Sequence, residues 1–342
     1  MAAGCGLAAA VNTPHTVPVN LITSFLGVGK TTAIRRLLAD KPADQYWAVL
    51  VNEFGEVGID GAAITDASTD MAVVEVPGGC ICCTTSPMLN VSIVKLLRAR
   101  RPDRLLIEPS GLGHPAGIID ALRKPELASA LTLSAVVTLV DPRQLDDSRY
   151  TLNPTWRDQI MLADVLVANK CDRADAAQVD RFIAMANGLF PPKRAIATTT
   201  QGQIDPALLD LAEPPLPPQT REQRYRPKTE PVAHTPDPSM QSQGWQWSTD
   251  ALFSAEAVAA LFQSFSTTAP FGLPSVVRAK AVCRTDHGWL LFNWAYGEAS
   301  AAEVAWRQDS RAEIIAQGDT AVDWQPLEAA LHACLLEARP AS

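Results

Sequence analysis

From residue 18 to about residue 212 the chain alternates short, continuously apolar runs with longer amphipathic stretches. The runs, at residues 19–22, 47–51, 71–76, 105–108, 133–140, 165–168 and 194–197, are rich in Val, Ile and Leu and read as strands. Helical spacing of apolar positions predicts helices over 31–39, 87–100, 115–121, 156–163 and 175–189. Strands without a polar side, separated by helices, indicate an α/β fold with a mostly parallel sheet covered on both faces. Such sheets take ligands beyond the carboxyl ends of their strands.

After residue 213 the pattern breaks. Pro214, Pro215, Pro217, Pro218, Pro227, Pro231, Pro236 and Pro238 crowd residues 213–244, which read as a semi-rigid linker. Beyond it, strands over 245–247, 275–283, 288–294 and 311–315, with helices over 255–265 and 325–337, predict a small α+β domain at 245–342. Trp245, Trp247, Trp289, Trp294, Trp306 and Trp324 belong to that region and are expected in its core, with a client-docking surface as the alternative. Residues 1–16 carry neither a charged n-region nor a long apolar core and are expected to be a disordered N-terminus rather than a signal peptide.

Composition narrows the class. With 342 residues the chain can bury a good core and build about two domains. A net charge of −8 and a pI near 5.2 argue against a nucleic-acid partner, which needs a basic face. No apolar stretch approaches the ~18 residues that span a bilayer, so no membrane partner is expected either. The seven cysteines are an odd number, and Cys82 and Cys83 are adjacent, a poor disulfide framework. This favours metal or redox chemistry in a reducing compartment, the cytoplasm.

Each candidate site falls in the turn after a predicted strand. The first is Phe25-Leu26-Gly27-Val28-Gly29-Lys30-Thr31-Thr32. Glycines let backbone N–H groups converge on phosphate oxygens, and a following helix adds a favourable dipole. Lys30 would reach the β/γ-phosphates and the Thr31 hydroxyl would ligate Mg²⁺. Ser24 stands where the usual first glycine would be, in a backbone geometry expected to favour glycine. A glycine-rich turn with no ligand is the plain alternative. Glu108 ends the fourth run and can hold Mg²⁺, while the N–H of Gly111 can sense a γ-phosphate. After the sixth run come Asn169, Lys170, Cys171 and Asp172. An aspartate there can accept from guanine N1 and N2, which adenine cannot supply, so GTP and GDP are expected rather than ATP.

Cys80, Cys82 and Cys83 follow the third run. Three close thiolates suit Zn(II) or Cu(I) and leave a fourth ligand to come from elsewhere. A Cys80/Cys83 redox pair and plain buried cysteines are the alternatives. Glu53 and Glu56, after the second run, sit where a switch loop would feel both phosphate and metal.

Taken in order, residues 25–32, 52–60, 79–83, 107–111 and 169–172 resemble the CobW-type metallochaperone GTPases, and the segments 20–23 and 108–115 are similar to the YeiR-like zinc-binding branch. The resemblance covers most of the chain and implies a P-loop GTPase domain at 17–212 with a CobW C-terminal-like domain after it. It implies a slow GTPase, with Mg²⁺ at the phosphates, whose Cys80, Cys82 and Cys83 bind zinc and deliver it to an apo-metalloprotein client; a homodimer is allowed for. Co²⁺ suits the same thiolates, so a cobalt chaperone for cobalamin synthesis stays open. So does a non-catalytic zinc buffer or redox sensor with a degenerate P-loop. The family's His-rich tract is missing, since the linker holds only His234; His114 is a further conceivable ligand.

Overall fold

The computed structural model describes residues 16–51, 71–75, 87–111, 115–211, 222–225, 239–267 and 270–336. Seven strands form the first sheet: β1 (Val17–Ser24), β2 (Trp47–Val51), β3 (Met71–Glu75), β4 (Arg104–Glu108), β5 (Leu131–Val140), β6 (Val165–Ala168) and β7 (Ala195–Thr198). Their order is β3-β2-β4-β1-β5-β6-β7, and every pairing is parallel. Around it lie α1 (Lys30–Ala39), α2 (Pro87–Ala99), α3 (Pro115–Leu122), α4 (Pro125–Ala128), α5 (Ser148–Thr151), α6 (Pro154–Leu162) and α7 (Ala176–Asn187).

The continuously apolar runs have a simple cause. Alternate residues of one strand serve opposite layers. In β2, Ala48 and Leu50 pack with Leu89 and Ile93 of α2, while Trp47 and Val49 pack with Ile34 and Leu37 of α1. Leu105 and Ile107 of β4 join the first layer and Leu106 the second. Asn20 is a polar exception in mid-β1. Fully buried, it donates to the carbonyls of Ala135 and Leu209 and accepts from Arg104, so its burial leaves nothing unpaired. β1 lies at the centre between β4 and β5, with β2–β4 on one side and β5–β7 on the other, which places the binding crevice at its carboxyl end.

The second sheet is antiparallel, in the order β12-β11-β10-β13-β9-β8. Its strands are β8 (Glu222–Tyr225), β9 (Met240–Trp247), β10 (Val276–Thr285), β11 (Gly288–Ala295), β12 (Glu298–Glu303) and β13 (Ser310–Gln317). Helices α8 (Ala255–Ser264) and α9 (Gln325–Ala333) cover one face, burying Val258, Phe262, Leu327 and Leu331 against Trp245, Trp247, Ala281 and Phe292. Trp245, Trp247, Trp294 and Trp306 are buried, while Trp289 and Trp324 are partly buried against the same cores.

One expectation needs correction here, and one strand was missed. The stretch 213–244 is not linker throughout: β8 and the start of β9 lie within it. The residues 222–225 lack proline, and β8 is an edge strand, where flanking prolines cost no ladder bonds. Tyr225 fixes it: its ring lies over Gly244, within 2.8 Å of where a Cβ would be, and its hydroxyl donates to Glu313 at 2.7 Å. β12 escaped the sequence pattern because its six residues, Glu-Ala-Ser-Ala-Ala-Glu, are all exposed and poor strand formers. Its register follows from the tight turn at Tyr296 and Gly297, both at positive φ.

Candidate nucleotide site

β1 runs straight into the glycine loop. Ser24 is its last residue, buried and without positive φ, and its hydroxyl donates to the carbonyl of Phe25 at 2.9 Å. The left-handed geometry expected there falls instead on Gly27 (φ 72°) and Gly29 (φ 107°), so the serine carries no strain. Val28 is buried as the loop's anchor. Gly29 is the N-cap of α1, which leaves the helix's first N–H groups facing the loop without a side-chain cap. Thr31 and Thr32 are exposed on that first turn and Lys30 is half-buried. A concave loop of N–H groups at a helix N-terminus is built to hold an anion.

β4 brings the acid. Glu108 is buried, and Thr31 donates to its Oε1 at 2.9 Å, across 77 residues of sequence. Two hard oxygens side by side at the phosphate loop fit Mg²⁺. Next to them, the Ser110 hydroxyl is buried and has no hydrogen-bond partner among the described residues. Gly111 rests on the loop so closely that a Cβ there would come 2.8 Å from the Leu26 side chain and 3.1 Å from its nitrogen.

At the other end, Asn169 is a clamp. Its Nδ2 donates to the carbonyl of Val28 at 2.9 Å and its Oδ1 accepts from the N–H of Gly202 at 3.0 Å. Lys170, in the left-handed region (φ 62°), donates to the carbonyl of Gly27. Asp172 is exposed in the turn Cys171–Arg173 that follows. The structure therefore brings Gly27, Val28, Gly29, Lys30, Thr31, Thr32, Glu108, Gly111, Asn169, Lys170 and Asp172 to one edge. Glu53, Glu56, Cys80, Cys82, Cys83 and His114 lie outside the described residues. Among those described, no group of three or more His, Cys, Asp or Glu could hold a metal ion.

Sequence reasoning missed several members. Asp141, the residue after β5, holds the Arg143 guanidinium at 2.9 and 2.6 Å and lies 3.8 Å from the Lys170 ammonium. Burial works against its charge, yet the bonds from Arg143, aided by Lys170, keep its carboxyl below the usual range. An acid at a strand end was a legible signal, as for Glu108. Gly202 (φ 72°) was less legible: a Cβ there would meet the Ala33 backbone at 2.7 Å, which locks the loop after β7 against α1.

A parallel sheet whose first strand feeds a two-glycine loop and helix, with a strand-end acid bonded to the first-turn threonine, defines a P-loop nucleotide-binding protein. Comparison with known proteins agrees. The sequence profile described as "CobW/HypB/UreG, nucleotide-binding domain" matches residues 18–196. The chain is 37% identical over 327 residues to the zinc chaperone YeiR of Escherichia coli (strain K12), covering 91% of this chain and 96% of that one. It is 35% identical over 226 residues to the zinc chaperone CobW of Pseudomonas aeruginosa, covering 57% of this chain and 60% of that one. With the zinc chaperone YjiA of Escherichia coli (strain K12) the identity is 34% over 204 residues, 57% of this chain and 61% of that one. The chain belongs to the CobW/HypB/UreG family.

Proposed function

We propose that this chain is a GTP-hydrolysing zinc chaperone. One observation carries the reading. Val51 is in register with Glu108 on one side and Glu75 on the other, so β2, β3 and β4 all end at the edge that holds the Thr31–Glu108 pair. The segment leaving β2 contains Glu53 and Glu56, and the segment leaving β3 contains Cys80, Cys82 and Cys83. A movement at Glu108 is thus two strands from the root of the thiolate segment. Membership of the family, and relatives named zinc chaperones, support the same reading.

In this mechanism the N–H groups of Gly27, Val28 and Gly29 and the start of α1 cradle the phosphates, and Lys30 neutralises their charge. Thr31 and Glu108 would hold Mg²⁺, which screens the phosphate oxygens during transfer. Thr32 completes the first turn, Asn169 and Lys170 cover the base, and the Asp172 carboxylate accepts from guanine N1 and N2. Gly111 offers its N–H to the γ-phosphate. Zinc is cargo on Cys80, Cys82 and Cys83, kept as thiolates in the cytoplasm and passed to an apo-metalloprotein client. Linkage makes the coupling reciprocal: if GTP raises zinc affinity, zinc raises GTP affinity by the same factor.

The test is a zinc titration of the reduced protein against a chromophoric chelator, in GDP and in a non-hydrolysable GTP analogue. A one-to-one site, abolished by Cys82→Ser and shifted between nucleotides, is expected. Equal affinity in both states would mean a zinc buffer rather than a gated chaperone.

A further inference from the structure

Gly111 packs closely against Leu26, and a glycine restrains itself least of all residues. Something else has to hold its backbone. Gln159 of α6 does so: its Nε2 donates to the Gly111 carbonyl at 3.1 Å, and the residue is only 2% exposed. A buried amide so placed is costly to misalign, since it would leave a desolvated donor or acceptor unpaired. The helix is itself held at this point. Thr138 donates to the Gln159 carbonyl at 3.0 Å, and the hydroxyls of Thr138 and Thr23 meet at 2.7 Å, one residue before Ser24.

The far end of α6 faces the second sheet. Asp164, just past it, accepts from the N–H of Val136 at 2.8 Å and from Nε2 of Gln308, between β12 and β13, at 2.5 Å. Lys193 donates at 2.9 Å to the carbonyls of Met161 and Ala163, closing the helix end. One short helix therefore links Gly111, beside the phosphate loop, to the residue that bonds the C-terminal unit.

We infer that Gln159 is a positioning residue for GTP hydrolysis, fixing Gly111 toward the γ-phosphate and passing its movement through α6 to the Asp164–Gln308 contact. This rests on the GTPase reading above. The experiment compares wild type with Gln159→Met, which keeps the side chain's length and packing but removes the donor. Three quantities are read: GTP turnover with Mg²⁺, affinity for fluorescent GDP, and hydrogen exchange of residues 305–311 in GDP against the GTP analogue. Turnover is expected to fall roughly tenfold while GDP affinity stays within about twofold. The exchange difference between nucleotides, present in wild type, is expected to vanish in the variant. Unchanged turnover, or a parallel loss of turnover and GDP affinity, overturns the positioning role. An exchange pattern blind to nucleotide in wild type overturns the transmission. If wild type itself neither binds nor hydrolyses GTP, the GTPase reading falls and takes this inference with it; wild-type turnover matched by Q159M sinks the inference alone.

Discussion

Asp172 shows how much a single side chain can decide. Exposed after β6 and carrying two acceptor oxygens, it would, in the base site proposed above, match the two donors of guanine and oppose the carbonyl of xanthine at the same edge. Asp172→Asn turns an acceptor into a donor. GTP affinity should drop by roughly two orders of magnitude while xanthosine triphosphate gains, as read by competition against fluorescent GDP. Retention of tight GTP binding by the variant would remove Asp172 from the base site. Asn169 works differently. Its side chain ties the carbonyl of Val28 to the N–H of Gly202, so three separate loops become one wall.

Elements matter here through their ends. α7 begins with a reciprocal capping box: Asp175 accepts from the N–H of Gln178, and the Gln178 side chain accepts from the N–H of Asp175. The helix follows directly on the turn bearing Asp172, so its start is also the rim of the base site. Asp175→Ala should cost about 1 kcal/mol in denaturant unfolding. A loss within error would show that packing of Phe182 and Ala186 alone sets the helix start. α1 uses the opposite arrangement, with no side-chain cap, and so leaves its N–H groups to the phosphates.

Across the whole molecule, charge is concentrated where the two sheets meet. Asp309 accepts from Arg311 at 2.7 and 2.5 Å and from Gln246 at 2.5 Å, close to the Asp164–Gln308 contact. Burial there pushes the Asp164 carboxyl up, and pulls the Lys193 ammonium from 10.5 down to about 7 in spite of Asp164. A lysine depressed in the folded state penalises folding fully below that value. The penalty fades as pH rises toward the unfolded value, because only the unfolded chain still binds the proton. Wild type should therefore gain stability relative to Lys193→Met between about pH 7 and about pH 9, with a flat difference below. A difference independent of pH over that range would show that Lys193 stays charged through its two carbonyl partners.

The sequence alone determined the parallel sheet, because strands buried on both faces are mostly apolar, and their alternation with helices calls for crossovers that cover both faces. It also determined the phosphate loop, the strand-end Glu108 and the Asn169–Asp172 turn, since each is a contiguous chemical signal at a strand end. Only the tertiary structure decided what depends on residues far apart: the Thr31–Glu108 bond, the Gly202 lock on α1, and the Gln159 hold on Gly111. Ser24 reads as a defect in the loop motif but is an ordinary strand residue once β1 is seen to extend through it. β8 and β12 were hidden for the same physical reason. An edge strand can be exposed, short or weak in propensity, because its neighbour in the sheet supplies the order that its own residues lack.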